Sequence, residues 1–97
     1  MNAKNELIEI LNQTPPIKCA IISCNGLRAI LPLNHTTLQL EDFYKSLDFE
    51  YYRGYGMQEL YGTVWLDDGT WLSRGEYDGA EWWEHNILPE IPIECLI

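Results

Sequence analysis

Basic residues are scarce in this chain. Six Lys and Arg stand against 15 Asp and Glu, a formal net charge of −9. The deficit is uneven. Residues 1–58 hold six acids (Glu6, Glu9, Glu41, Asp42, Asp48, Glu50) and five bases (Lys4, Lys18, Arg28, Lys45, Arg53). Residues 59–97 hold nine acids (Glu59, Asp67, Asp68, Glu76, Asp78, Glu81, Glu84, Glu90, Glu94) and one base, Arg74. So acidic a half argues against direct nucleic-acid binding, which runs on Lys and Arg neutralising phosphates. It suits a basic protein surface instead.

Cysteine is also sparse. Cys19, Cys24 and Cys95 are an odd number without a C-x-x-C pair, which points to reduced thiols and away from a disulfide framework or a zinc site. No apolar run approaches the roughly 18 residues of a membrane helix. The start, MNAKNELIEIL, lacks the basic-then-apolar layout of a signal peptide, so a cytoplasmic location is expected. There is no P-loop and no G-x-G-x-x-G. Gly54 and Gly56 make only R-G-Y-G, with no helix signal behind them. No cofactor and no metal are expected.

What is present reads as one domain, residues 1–97, of α+β class: two short helices packed on antiparallel β-sheet, ending in a three-stranded meander. Leu7, Ile8, Ile10 and Leu11 recur at helical spacing, giving a helix over 3–12 with Asn2 as its cap. Asn25-Gly26 is the preferred two-residue hairpin turn. It sets Cys24 opposite Leu27, Ile22 opposite Ala29 and Ala20 opposite Leu31 on one apolar face. Burial on that face raises a thiol's pKa and makes Cys24 a poor nucleophile. Leu40, Phe43, Tyr44 and Leu47 form the stripe of a second helix, capped by Thr36 or Thr37. Residues 49–53, FEYYR, read as a strand, and RGYGM (53–57) as a loop or bulged turn.

In the meander, Asp68-Gly69 and Asp78-Gly79 both read as two-residue hairpin turns. That register puts Leu60, Tyr77 and Ala80 in one row, then Gly62, Gly75 and Trp82, then Val64, Ser73 and Glu84, then Leu66 and Trp71, on the face toward the helices. Trp82 then covers two positions without side chains. The other face carries Tyr61, Glu76 and Glu81, then Thr63, Arg74 and Trp83, then Trp65, Leu72 and His85. The two adjacent tryptophans thus point opposite ways, Trp82 into the core and Trp83 outward beside Arg74, within cation–π reach. A one-residue slip at the second of these turns would exchange their roles.

Aromatic residues of this size are enriched where proteins bind one another. The expected contact surface joins Tyr61, Trp65, Arg74, Glu76, Asp78, Glu81, Trp83 and Glu84, unless a helix, the first hairpin or the alternating tail Ile91, Ile93, Cys95, Ile97, which could add a strand or a cover, lies over it. Enzyme chemistry has thinner support. Glu76, Glu81 and Glu84 beside tryptophans are the ingredients of a glycosidase, but a chain of 97 residues rarely builds a sugar cleft. His85 as a general base would need Glu76 or Glu81 to orient it.

The run W-L-D-D-G-T-W, then R-G-E-Y-D-G-A-E-W-W, then P-E-I-P (within residues 58–93) resembles small proteins carried by phages and prophages, whose C-terminal halves read W-x-x-D-G-x-W, R-x-E-Y-D-G-x-E-W-W and P-x-I-P. The first 57 residues add nothing to it. The resemblance implies a mobile-element origin and transfers no activity and no functional residue. Small acidic phage proteins are similar, as a class, to inhibitors of host defence of the anti-restriction and anti-CRISPR type, some of which mimic nucleic-acid charge. The expected function is therefore a non-enzymatic acidic protein-binding module, an inhibitor of a host nucleic-acid-processing or defence protein. A small-ligand module stacking a sugar or nucleobase on Trp65 and Trp83 is the first alternative. An immunity or antitoxin protein is the second. Self-association into a homodimer stays open.

Overall fold

The computed structural model describes residues 1–52 and 57–96. Helices α1 (Ala3–Leu11) and α2 (Thr37–Ser46) accompany strands β1 (Ile17–Cys24), β2 (Leu27–Leu31), β3 (Leu60–Leu66), β4 (Trp71–Tyr77) and β5 (Ala80–Asn86). The strands form one antiparallel sheet of order β2-β1-β3-β4-β5, so β3 is central and the fold is α+β. No described helix is long and apolar enough to cross a membrane.

Local chemistry explains most of the elements. The Asn2 side chain accepts from the Asn5 N–H and caps α1. Thr36, not Thr37, caps α2, in a reciprocal capping box with Gln39. At the first hairpin Asn25 and Gly26 both take positive φ (50° and 87°), as a type I′ turn requires. The register is the expected one, and of the six facing residues only Leu27 is exposed. β1 also pairs with β3, which fuses the hairpin and the meander into one sheet. Gly62 makes that pairing close: a Cβ there would lie 2.6 Å from the Ile21 carbonyl oxygen.

Three expectations change. Residues 49–52 form no strand. Glu50 makes only an isolated bridge with Asn2, and Phe49 and Tyr51 hold the N-terminal segment by backbone hydrogen bonds to Ala3 and Met1. Arg53 and most of the RGYGM loop lie outside the described residues. The tail adds no strand among the described residues. It holds a short 3-10 turn, Ile93–Cys95, and residues 87–96 are exposed.

The third change has the widest effect. The β3–β4 connection is a three-residue loop, Asp67 to Gly69, not a two-residue turn. The Leu66 N–H donates to the Thr70 carbonyl (2.9 Å), and the Gly69 N–H donates back to the Leu66 carbonyl (3.2 Å). Gly69 has φ 85°. The Asp68 carboxylate accepts from the Thr70 N–H, and the Asp67 N–H donates to the Pro16 carbonyl, so both loop acids are held in this geometry. One extra loop residue moves the register by one, to Val64 opposite Leu72. A shift of one turns every β4 and β5 side chain to the other face. The β4–β5 turn itself is as expected, with Asp78 at φ 52°, Gly79 at φ 87° and Tyr77 opposite Ala80.

The core therefore lies between the helices and one face of the sheet. Ala20, Ile22, Cys24, Ala29, Leu31, Leu60, Val64, Leu66, Leu72 and Trp83 meet Ala3 and Leu7 of α1 and Phe43 of α2, with Leu47 and Tyr51. Each large side chain buried there contributes about 1.5–3 kcal/mol. Both helices cover this face, and no described helix covers the other.

Candidate functional site

The flipped register brings charge inside. Arg74 on β4 points into the core face with its side chain 2% exposed. Its Nη1 lies 3.2 Å from Glu6 Oε2 on α1, and its Nη2 donates to Glu81 Oε1 on β5 at 3.0 Å. Nη2 also donates to the Tyr51 hydroxyl at 2.9 Å, and that hydroxyl donates to Glu6 Oε1. The guanidinium sits 4.9 Å from the Trp83 ring and 5.8 Å from the Tyr51 ring. Glu81 is held further by the N–H groups of Glu59 (2.6 Å) and Leu60 (3.1 Å), which ties the edge strand β5 to the entry of β3.

These contacts set the ionisation of the cluster. Burial works against the Arg74 charge, but Glu6 and Glu81 more than offset it and hold its pKa above the ordinary value. Burial, then the hydrogen bond to Glu6, pushes the Tyr51 phenol up. Burial, with Glu59 and Glu81 nearby, raises the Cys24 thiol and leaves it a weak nucleophile. Buried ion pairs add little net stability over apolar packing, yet losing one member leaves an uncompensated charge. The cluster chiefly fixes how α1 docks on β4 and β5.

The expected contact residues are thereby divided. Arg74, Glu81 and Trp83 are buried, and their placement on an exposed surface is corrected. Trp83 is 7% exposed and belongs to the core, while Trp82 is 36% exposed and points outward. The anticipated Arg74–Trp83 cation–π contact exists, but inside the protein. Tyr61, Trp65, Glu76, Asp78 and Glu84 are exposed. Tyr61, Trp65 and Glu84 share the uncovered face, whereas Glu76 and Asp78 sit at the β4–β5 turn, where Glu76 accepts from the Gly79 N–H. Trp82 does lie over Gly75, and its Nε1 donates to Glu84, but it covers one glycine and not two, because Gly62 faces the core.

His85 does not meet the carboxylates proposed to orient it. Its Nε2 lies 2.8 Å from the Thr70 hydroxyl, which donates to Asp68. Glu81 is engaged by Arg74. One cleft of about 230 Å³ opens between α1 and β5, lined by Glu6, Glu9, Ile10, Gln13, Trp82 and Trp83. No group of three or more His, Cys, Asp or Glu is placed to hold a metal among the described residues.

Sequence reasoning missed Glu6 and Tyr51 as partners of Arg74. Glu6 stands at i−1 to Leu7 on α1, a helix too short to show which face meets the sheet. A usable signal was Leu72, the only aliphatic residue in WLSRGEY. Facing it inward also turns Arg74 inward, and a buried arginine demands carboxylates.

No family model matches this chain, and no curated protein or solved structure matches it either.

Proposed function

We propose that this protein is a non-enzymatic binding module that docks its acidic C-terminal half on a basic surface of another protein. One observation carries the reading. Arg74, the sole base of residues 59–97, is buried and neutralised. That half therefore offers water Asp67, Asp68, Glu76, Asp78, Glu84, Glu90 and Glu94, with half-buried Glu59, and no Lys or Arg of its own. Such a field accelerates encounter with a basic partner and repels nucleic acid. Proteins that handle nucleic acid present basic channels of this kind, so the partner class is a nucleic-acid-processing protein and the role is inhibition by occupying its phosphate-binding surface. The resemblance to acidic phage proteins points the same way.

The contact would centre on the carboxylates of the two meander turns, Asp67 and Asp68 at one end and Glu76 and Asp78 at the other. The test is affinity capture from a bacterial lysate with washes of rising salt, then competition with nucleic acid on the purified partner. The expected partner is released between about 0.1 and 0.5 M salt, as screening predicts, and is displaced by its own nucleic acid. Replacing the four acids (Asp67→Asn, Asp68→Asn, Glu76→Gln, Asp78→Asn) abolishes capture without unfolding the chain, since Asn suits both turns. A partner held equally well at high salt, or by the neutralised variant, overturns the reading.

A further inference from the structure

The uncovered face of the sheet is different in kind from the acidic surface. Its residues run in rows across the strands. One row is Ile30, Ile21, Thr63, Ser73 and Glu84, from β2 to β5. The next, toward the β3–β4 loop, is Cys19, Trp65, Trp71 and Asn86. On the other side Arg28 pairs with Ser23, Ser23 with Tyr61, and Gly75 with Trp82. Ile21, Ile30, Tyr61, Trp65 and Trp82 are all exposed there. Among the described residues, Arg28 on edge strand β2 and Glu84 on edge strand β5 give the face opposite charges at its two sides.

We propose that this face is a dimer interface between two copies of the chain, packed about a two-fold axis that runs parallel to the strands along β3. Such an axis reverses the strand order of the second sheet, so β2 of each copy lies over β5 of the other. Arg28 then comes within side-chain reach of Trp82 and Glu84 of the second copy, twice by symmetry. A two-fold axis across the strands would instead set Arg28 against Arg28 and Glu84 against Glu84. Charge thus selects the occupant and the axis together. A second copy matches the face at both edges.

Size agrees. Five strands about 4.8 Å apart and roughly 20 Å long make a face on the order of 500 Å². That is most of the roughly 800 Å² each partner buries in a stable complex. Two sheets packed face to face interdigitate about 10 Å apart with strands near 30°. β3 would then bring Trp65 and Tyr61 to the centre, where hot spots gather, and Arg28 would gain a cation–π contact with Trp82. Dimerisation leaves the acids of the meander turns free for the partner proposed above.

The test is sedimentation velocity and light scattering of the purified chain from about 1 to 200 µM at about 0.15 M salt, the range where a micromolar dimer dissociates. The expected mass is twice the 11.3 kDa of one chain. Arg28→Glu and Glu84→Arg, each placing like charges across the interface, should weaken the dimer by about tenfold or more. The two together in one chain should restore it. Trp65→Asp should give a monomer, with circular dichroism checking that each variant is folded. A wild-type monomer over the whole range overturns the proposal. So does a dimer indifferent to these changes, or a double variant that fails to recover. None of these readouts depends on the proposed inhibitory function.

Discussion

The two faces of the sheet invert the usual distribution of residues. The covered face holds an arginine and two glutamates in its interior, while the open face shows water two tryptophans, a tyrosine and two isoleucines. Both are built from the same strands, and adjacent residues supply them: Trp83 goes in and Trp82 goes out. The difference lies in what each face has to meet. The covered face meets α1 and α2, and its charges are tolerated because Glu6 and Glu81 pair with Arg74, while Tyr51 and the Glu59 and Leu60 amides hold the two carboxylates. No described element lies over the open face, and its aromatics are exposed.

The sharpest way to break this contrast is to remove the cation. Arg74→Met keeps the aliphatic bulk but leaves Glu6 and Glu81 buried without it, and should cost about 3–5 kcal/mol in urea unfolding. Arg28→Met on the open face should cost under about 0.5 kcal/mol in the same assay at monomeric concentration. The tryptophans come next. Trp83→Leu should cost about 3 kcal/mol, through lost packing and the lost Arg74 stack. Trp82→Leu should cost less than about 1 kcal/mol. The reverse order of losses would mean the register is the one first expected. The glycines give the smallest contrast. Gly62→Ala drives a Cβ to 2.6 Å from the Ile21 carbonyl oxygen, so β1 and β3 must part, at about 2 kcal/mol. Gly75→Ala meets the Trp82 indole and the Glu84 carboxylate, both exposed side-chain ends that can swing away, and the melting temperature should change by no more than a few degrees.

Much of this was legible in the chain. Asn2 and the Asn25-Gly26 and Asp78-Gly79 turns act through neighbours a few residues away, so sequence reveals them, and it narrows the α2 cap to Thr36 or Thr37. Tyr51 was not legible as a core residue. Its burial comes from docking beside α1, some 45 positions from Glu6. The division of the expected contact residues was hidden for the same reason. Arg74 is indistinguishable from a surface arginine until its distant carboxylates are in place.

Sequence alone determined the α+β class, the α1 cap, two of the three hairpin turns and the concentration of acid in residues 59–97, because each rests on composition or on contacts local in the chain. Only tertiary structure decided which face of the meander is the core. Asp68-Gly69 fits a two-residue turn and a three-residue loop alike. The longer loop prevails because it holds Asp67 on Pro16, sets Leu72 against the core and lets Arg74 find Glu6 and Glu81. A strand's side chains alternate with a period of two, so that single residue decided which tryptophan is buried, which charges meet solvent and which surface is left to bind.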